Sequence, residues 1–187
     1  TLRVFANDST SSSTSLAYLF VVDRTAPAIL GTERTPETVY NNDTALFSIN
    51  SSDINLNTSK IFLEANFTGS WSNYTMTQES TNRFNFSVSG STNLTNQRSI
   101  GYRFHAFDLA GNVNSSALFN FTVQNRVPTN LNITLPFNNS VLEVGNSTTF
   151  RSTATDLDND NLTYTWLFGN GHNVTGNAGT AQNASFQ

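Results

Sequence analysis

Two kinds of side chain in this sequence have the types and spacing to do chemistry. The first is asparagine followed two residues later by Ser or Thr, whose carboxamide accepts an N-linked glycan on secreted surfaces. Such triplets begin at Asn7, Asn42, Asn50, Asn57, Asn66, Asn73, Asn85, Asn93, Asn114, Asn120, Asn132, Asn138, Asn146, Asn161, Asn173 and Asn183. These sixteen compare with about seven expected from the chain's own Asn, Ser and Thr content. The second is a run of alternating carboxylates, Asp156, Asp158 and Asp160, with Asn159 and Asn161 between and after them. Calcium takes roughly 6–8 oxygen ligands, which closely spaced Asp side chains and loop carbonyls supply. The competing reading is a turn whose Asp and Asn side chains cap their own backbone, and the spacing lacks the Gly and the distal Glu of an EF-hand.

The elements that must position these groups are strands. Nearly every apolar stretch alternates with period two, as in Ile61/Leu63/Ala65/Phe67, Phe84/Phe86/Val88, Tyr102/Phe104/Ala106 and Tyr164/Trp166/Phe168. Asn, Asp, Gly and Ser clusters separate them, and no stretch keeps helical spacing. Alternate residues of a strand face opposite ways, so Asn85, Asn120 and Asn132 are expected opposite their apolar neighbours, facing water. The predicted fold is all-β.

Composition narrows the function classes. Charged residues are 12% of the chain, about half the usual ~25%. Fifteen Phe residues supply apolar mass for cores. The net charge of −4 offers no basic footprint for nucleic acid. There is no cysteine, and no apolar run approaches the ~18 residues of a membrane helix. The expected partners are therefore glycans and other copies or repeats, with no nucleic acid and no membrane insertion by this segment.

The chain also repeats itself. Leu2–Asp8 lies over Tyr102–Asp108, Leu19–Val22 over Asn120–Val123, and Arg24–Pro27 over Asn125–Pro128. A fixed period of about a hundred residues is the size of one β-sandwich. Three pieces are expected: residues 1–26 as the terminal strands of one sandwich, 27–126 as a complete sandwich, and 127–187 as the first part of another. Pro27 and Pro128 mark the joints, because proline fixes φ and lacks the ladder donor.

On these residues the chain resembles known families. Tyr102-Arg103-Phe104-His105-Ala106-Phe107-Asp108-Leu109-Ala110-Gly111-Asn112 is similar to the Y-x-x-x-A-x-D-x-A-G-N segment of bacterial and archaeal Ig-like surface modules. Val22-Asp23-Arg24-Thr25-Ala26-Pro27 resembles the V-D-x-T-A-P joint that links such modules. Residues 127–187 resemble the first half of a PKD domain, through Asp156-Leu157-Asp158-Asn159-Asp160 and Tyr164-Thr165-Trp166-Leu167-Phe168-Gly169-Asn170-Gly171. Asn170 stands where the PKD pattern has Asp. The resemblance implies tandem Ig-like sandwiches, one complete and two partial, in an extracellular, archaeal-type surface protein built for spacing, adhesion or filaments.

Other residues carry paired readings. Asp8 and Asp108 fall on the inward parity of their strands; they are expected to accept bonds from the following turn, with an inter-domain calcium ligand as the alternative. Lys60, the only lysine, is a solvated strand-start residue or half of a Lys–Asn cross-link beside Glu64. Trp71, Tyr74 and Trp166 are core or joint aromatics, or a platform for sugar rings. The histidines, His105 and His172, stand in no catalytic motif, so no enzyme is expected. The function expected is a structural module of a glycosylated extracellular fibre or stalk, its end strands completed by an adjacent repeat or subunit. The alternative is a carbohydrate- or protein-binding accessory module of a secreted enzyme.

Overall fold

The computed structural model describes residues 2–20, 22–89, 94, 98–143, 145–169, 171, 173–177 and 183–186, with backbone only at 177 and 183–186. All regular structure among them is strand: β1 (Phe5–Asn7), β2 (Ser12–Thr14), β3 (Ala28–Thr35), β4 (Thr44–Ser52), β5 (Leu56–Ala65), β6 (Ser72–Thr75), β7 (Thr77–Ser80), β8 (Arg83–Ser89), β9 (Ser99–Asp108), β10 (Val113–Ser115), β11 (Phe119–Thr122), β12 (Thr129–Leu135), β13 (Thr148–Thr155), β14 (Thr163–Leu167), β15 (Asn173–Asn177) and β16 (Asn183–Phe186). The fold is all-β, as the alternating sequence predicts. The sheets run β3-β4-β8-β7, β10-β9-β5-β6 with β11 also on β9, β12-β13-β16, β14-β15 and β1-β2.

The chain divides into two compact units, Thr1–Arg34 with Leu46–Phe86 and Gly101–Phe119, and Thr35–Ala45 with Ser87–Ile100 and Asn120–Gln187. In the first unit the core is the inner face of β4, β5 and β9. Phe47, Ile49, Ile61, Leu63, Phe67, Phe84 and Phe104 are fully buried. Phe47 packs edge-on against Tyr102 at 4.9 Å between ring centroids and tilts against Phe67 at 5.4 Å. Burying each of these Phe side chains contributes about 1.5–3 kcal/mol.

The same unit holds the two copies of the repeat, and they agree bond for bond. In β1–β2 the pairs are Phe5 with Thr14, Ala6 with Ser13, and Asn7 with Ser12. In β9–β10 they are His105 with Ser115, Ala106 with Asn114, and Phe107 with Val113. Ser15 N donates to Val4 O at 2.8 Å, and Ser116 N to Phe104 O at 2.9 Å. Val4 N donates to Ser15 Oγ at 3.0 Å, and Phe104 N to Ser116 Oγ at 3.0 Å. What differs is cover. Tyr102 and Phe104 are 8% and 0% exposed, whereas their counterparts Leu2 and Val4 are 57% and 63% exposed.

In the second unit Val39, Leu94, Ile100 and Val123 are buried. Gln124 N donates to Val39 O at 2.8 Å, and Asn41 N donates to Gln124 O at 3.1 Å. That clasp leads the chain into Arg126 and Pro128, after which β12 starts. The sheets β12-β13-β16 and β14-β15 leave their apolar face open: Leu131 is 72% exposed and Ile133 60%. Phe150, Trp166 and Phe168 cluster on it, with centroids 5.0–6.4 Å apart.

Candidate functional site

The densest polar constellation surrounds Arg126. Its Nη1 donates to Asp158 Oδ1 at 2.7 Å and to Asn41 O at 3.0 Å, and its Nη2 to Asp43 Oδ1 at 2.5 Å. Its own backbone N–H donates to Asp158 Oδ2 at 2.6 Å. The guanidinium lies 4.4 Å from the centre of the Tyr40 ring, within cation–π range. Asn42 Nδ2 closes the other side, donating to Asp158 O at 2.7 Å.

Local sequence explains these positions. Asp156 Oδ1 accepts the N–H of Asp158 at 2.8 Å and of Asp160 at 3.3 Å, an Asx turn. Asn42 and Asn159 hold φ of 65° and 59°, a region Asn tolerates well. The turn carries Asp158 inward, where its carboxylate is buried and requires a counter-charge. Burial pushes the Asp43 carboxyl up, but the Arg126 hydrogen bond, the Tyr40 N–H and the Arg126 charge together outweigh it and hold the group below its ordinary value. Arg126 is raised above its own, chiefly by the Asp43 bond.

The expected loop carboxylates are thus brought together, with one oxygen each of Asp156, Asp158 and Asp160 within 4.8 Å of one another. Both oxygens of Asp158 already face Arg126. That partner lies 32 residues away, and sequence reasoning did not find it.

A second convergence was half seen. Asp23, Asp53 and Asp108 also bring carboxylate oxygens within 4.8 Å of one another. Asp108, buried as its parity requires, accepts Asn112 N at 2.8 Å and Asn112 Nδ2 at 2.7 Å. This is the turn-capping role expected of it. Asn55 Nδ2 donates to Asp23 Oδ2 at 3.0 Å, and Asn114 Nδ2 donates to Pro27 O at 2.9 Å. The Asn55 bond, first, and the Thr25 N–H hold the Asp23 carboxyl below its ordinary value. Asp53 was missed, although its bond to Asn55 N at 2.7 Å is a plain Asx turn.

Asp8 departs from expectation: it is exposed. It still caps its turn, accepting Thr10 N at 2.8 Å and Ser11 N at 2.7 Å, and these bonds lower its pKa to about 2.

The glycan acceptors fall into two groups. Asn7, Asn73, Asn120, Asn132, Asn138, Asn161 and Asn173 are exposed. Asn42, Asn114 and Asn146 are engaged through Nδ2, the atom a glycan would take, with Asp158 O, Pro27 O and Glu143 Oε2. Asn66 Oδ1 accepts Gly101 N at 2.9 Å, and Asn50 and Asn57 are half-buried. Asn85 limits the parity argument: it is half-buried on the interior strand β8, and its Oδ1 is buried with no hydrogen-bond partner. Asn93, Asn170 and His172, and the Asn183 side chain, lie outside the described residues.

The remaining candidates separate cleanly. Ser115 Oγ lies 2.7 Å from His105 Nδ1, and His105 Nε2 lies 2.8 Å from Glu64 Oε2. These are the residue types of a hydrolytic triad, unremarked in the sequence. Glu64 also takes Arg103 Nε at 2.5 Å, which with the His105 bond holds its carboxyl below the ordinary value. The trio ties β5, β9 and β10 together. Lys60 is exposed, and Glu64 is occupied as above, which removes the burial a Lys–Asn cross-link needs. Trp71 is 47% exposed rather than packed in a core, while Tyr74 packs on Phe67 and Phe86 at 5.3 and 5.0 Å.

Comparison with known proteins gives little. No family model and no curated protein matches the chain. Among eight solved chains that match is one described as the fibronectin(III)-like modules of Clostridium thermocellum CbhA, 14% identical, with a TM-score of 0.34, covering 83% of this chain and 78% of that one.

Proposed function

We propose that this chain is a structural module of a glycosylated extracellular fibre, stalk or filament on a prokaryotic, archaeal-type surface, with domain boundaries at 26/27 and 126/127. The observation that carries the reading is the repeated hairpin, β1–β2 and β9–β10, each followed by a proline joint. Repetition with fixed hydrogen bonding is how tandem arrays are built. The polar clusters beside Pro27 and Pro128 support it, since each ties the joint-proximal chain to loops from elsewhere. The exposed acceptor Asn residues supply glycans that keep a nearly uncharged surface soluble. Calcium taken by Asp156, Asp158 and Asp160 would compete with Arg126 for Asp158. The test is single-molecule extension: residues 27–126 should give one sharp unfolding event of about 33–36 nm contour length, from roughly 3.3–3.6 Å per residue. A featureless extension would remove the mechanical role.

The exposure of Trp71 favours a second reading, a carbohydrate-binding accessory module. It predicts that soluble oligosaccharides change tryptophan fluorescence, and that Trp71→Phe abolishes the change.

A further inference from the structure

One polar cavity shares no residue with the carboxylate clusters. Strands β3, β4 and β8 lie side by side in one sheet. Phe47 and Ile49 of β4 and Phe84 of β8 are buried in the core, so Ser48, Asn50 and Arg83 take the opposite face. There Gly31 has no side chain and Ser48 a short one, while the longer Glu33, Asn50 and Arg83 flank them. The result is a hollow of about 250 Å³ lined by Gly31, Thr32, Glu33, Ser48, Asn50 and Arg83, all within the first compact unit.

The chemistry of the hollow selects a neutral, hydroxyl-rich ligand. Arg83 donates from Nη2 to Glu33 Oε2 at 3.0 Å and from Nε to Glu79 Oε2 at 2.9 Å, so its charge is already met and an anion gains little. Its Nη1 and the Ser48 hydroxyl make no side-chain hydrogen bond among the described residues, although Ser48 is only 2% exposed. A buried polar group without a partner costs free energy that a bound hydroxyl recovers. Hydroxyls both donate and accept, and so match guanidinium, serine and carboxylate together. The volume lies below the roughly 300–1,000 Å³ of pockets for drug-sized ligands, which suits one sugar ring rather than a chain.

Asn50 supplies the source of that ring. It opens the triplet Asn50-Ser51-Ser52, and its half-buried carboxamide makes no hydrogen bond among the described residues. Its Nδ2 lies 3.8 Å from where a Cβ on Gly31 would stand, so the glycine leaves room beside the acceptor atom. We propose that the cavity seats the first sugar of an N-glycan carried by Asn50, with Arg83 Nη1, Ser48 Oγ and Glu33 binding its hydroxyl groups. This rests on the glycoprotein reading and gives one glycan a structural role. The covalent tether holds the ring at high effective concentration, so few contacts suffice to seat it.

The test uses protein secreted from a glycosylating host, with every glycan trimmed to its linking sugar. Peptide mapping should find Asn50 modified. Asn50→Gln should then lower the melting temperature by about 2–4 °C, the shift that one net hydrogen bond produces in a chain of this length. In protein made without glycans the same substitution should shift it less than half as far, which isolates the sugar from the side chain. In an Arg83→Met background the sugar's contribution should fall by at least half. Asn73→Gln, which removes a sugar from an exposed acceptor, should leave the melting temperature unchanged. A bare Asn50 beside a modified Asn73, or equal melting with and without the Asn50 sugar, overturns the seat and leaves the glycoprotein reading intact. Bare acceptors throughout the chain would instead remove that reading, and the seat with it.

Discussion

Asp158 receives both the backbone N–H and the guanidinium of Arg126, at 2.6 and 2.7 Å, so one buried carboxylate is held by two groups of a single residue. The carboxylate is shut off from solvent while the guanidinium is 26% exposed. Removing the guanidinium strands a buried charge. We expect Arg126→Ala to lower unfolding free energy by about 3 kcal/mol, the low end for a broken buried pair because Arg126 keeps some water. Arg126→Lys should recover less than half, since an ammonium cannot reach Asp158, Asp43 and Asn41 O with a planar fork. Urea unfolding of the three proteins measures both.

Acid should loosen the same cluster. The folded Asp43 carboxyl titrates below its ordinary value of 3.8, so the unfolded chain binds its proton first as pH falls. Its stabilisation is therefore complete above the ordinary carboxylate range and is lost as pH drops through the folded pKa. Melting temperature measured from pH 6 to pH 2.5 should fall more steeply below pH 4 for the native chain than for Asp43→Asn.

Glycan occupancy should follow access to Nδ2 rather than the triplet alone. In a secretory host, peptide mapping should find Asn7, Asn73, Asn120, Asn132, Asn161 and Asn173 modified, and Asn85 and Asn114 bare. Full occupancy at Asn114 would mean that its bond to Pro27 O is absent from the folded chain.

Calcium distinguishes the two carboxylate clusters. Arg126→Met frees both oxygens of Asp158, and its melting temperature should rise more with millimolar calcium than that of the native chain. If the native chain rises equally, the ion sits elsewhere. Asp53→Asn, which breaks the Asp23–Asp53–Asp108 group, should then abolish the rise.

Some of this was legible from the sequence. Period-two alternation in Tyr102/Phe104/Ala106 and the turn residues Asp108 to Asn112 specify strands and their reversal locally, and the repeat of Leu2–Asp8 over Tyr102–Asp108 appears again as matching hydrogen bonds. Asn85 shows the limit. Parity says which face a side chain takes, but not whether neighbouring strands cover that face.

The amino-acid order alone determined where strands run, where they turn and which segments are copies, because side-chain alternation and Asx turns act over a few residues. Tertiary structure decided that Asp158 meets Arg126, that Asp23 and Asp53 join Asp108, and that Val4 lies bare where Phe104 is buried. Charge pairing and burial depend on groups distant along the chain. Identical local hairpins therefore meet different fates according to what packs against them.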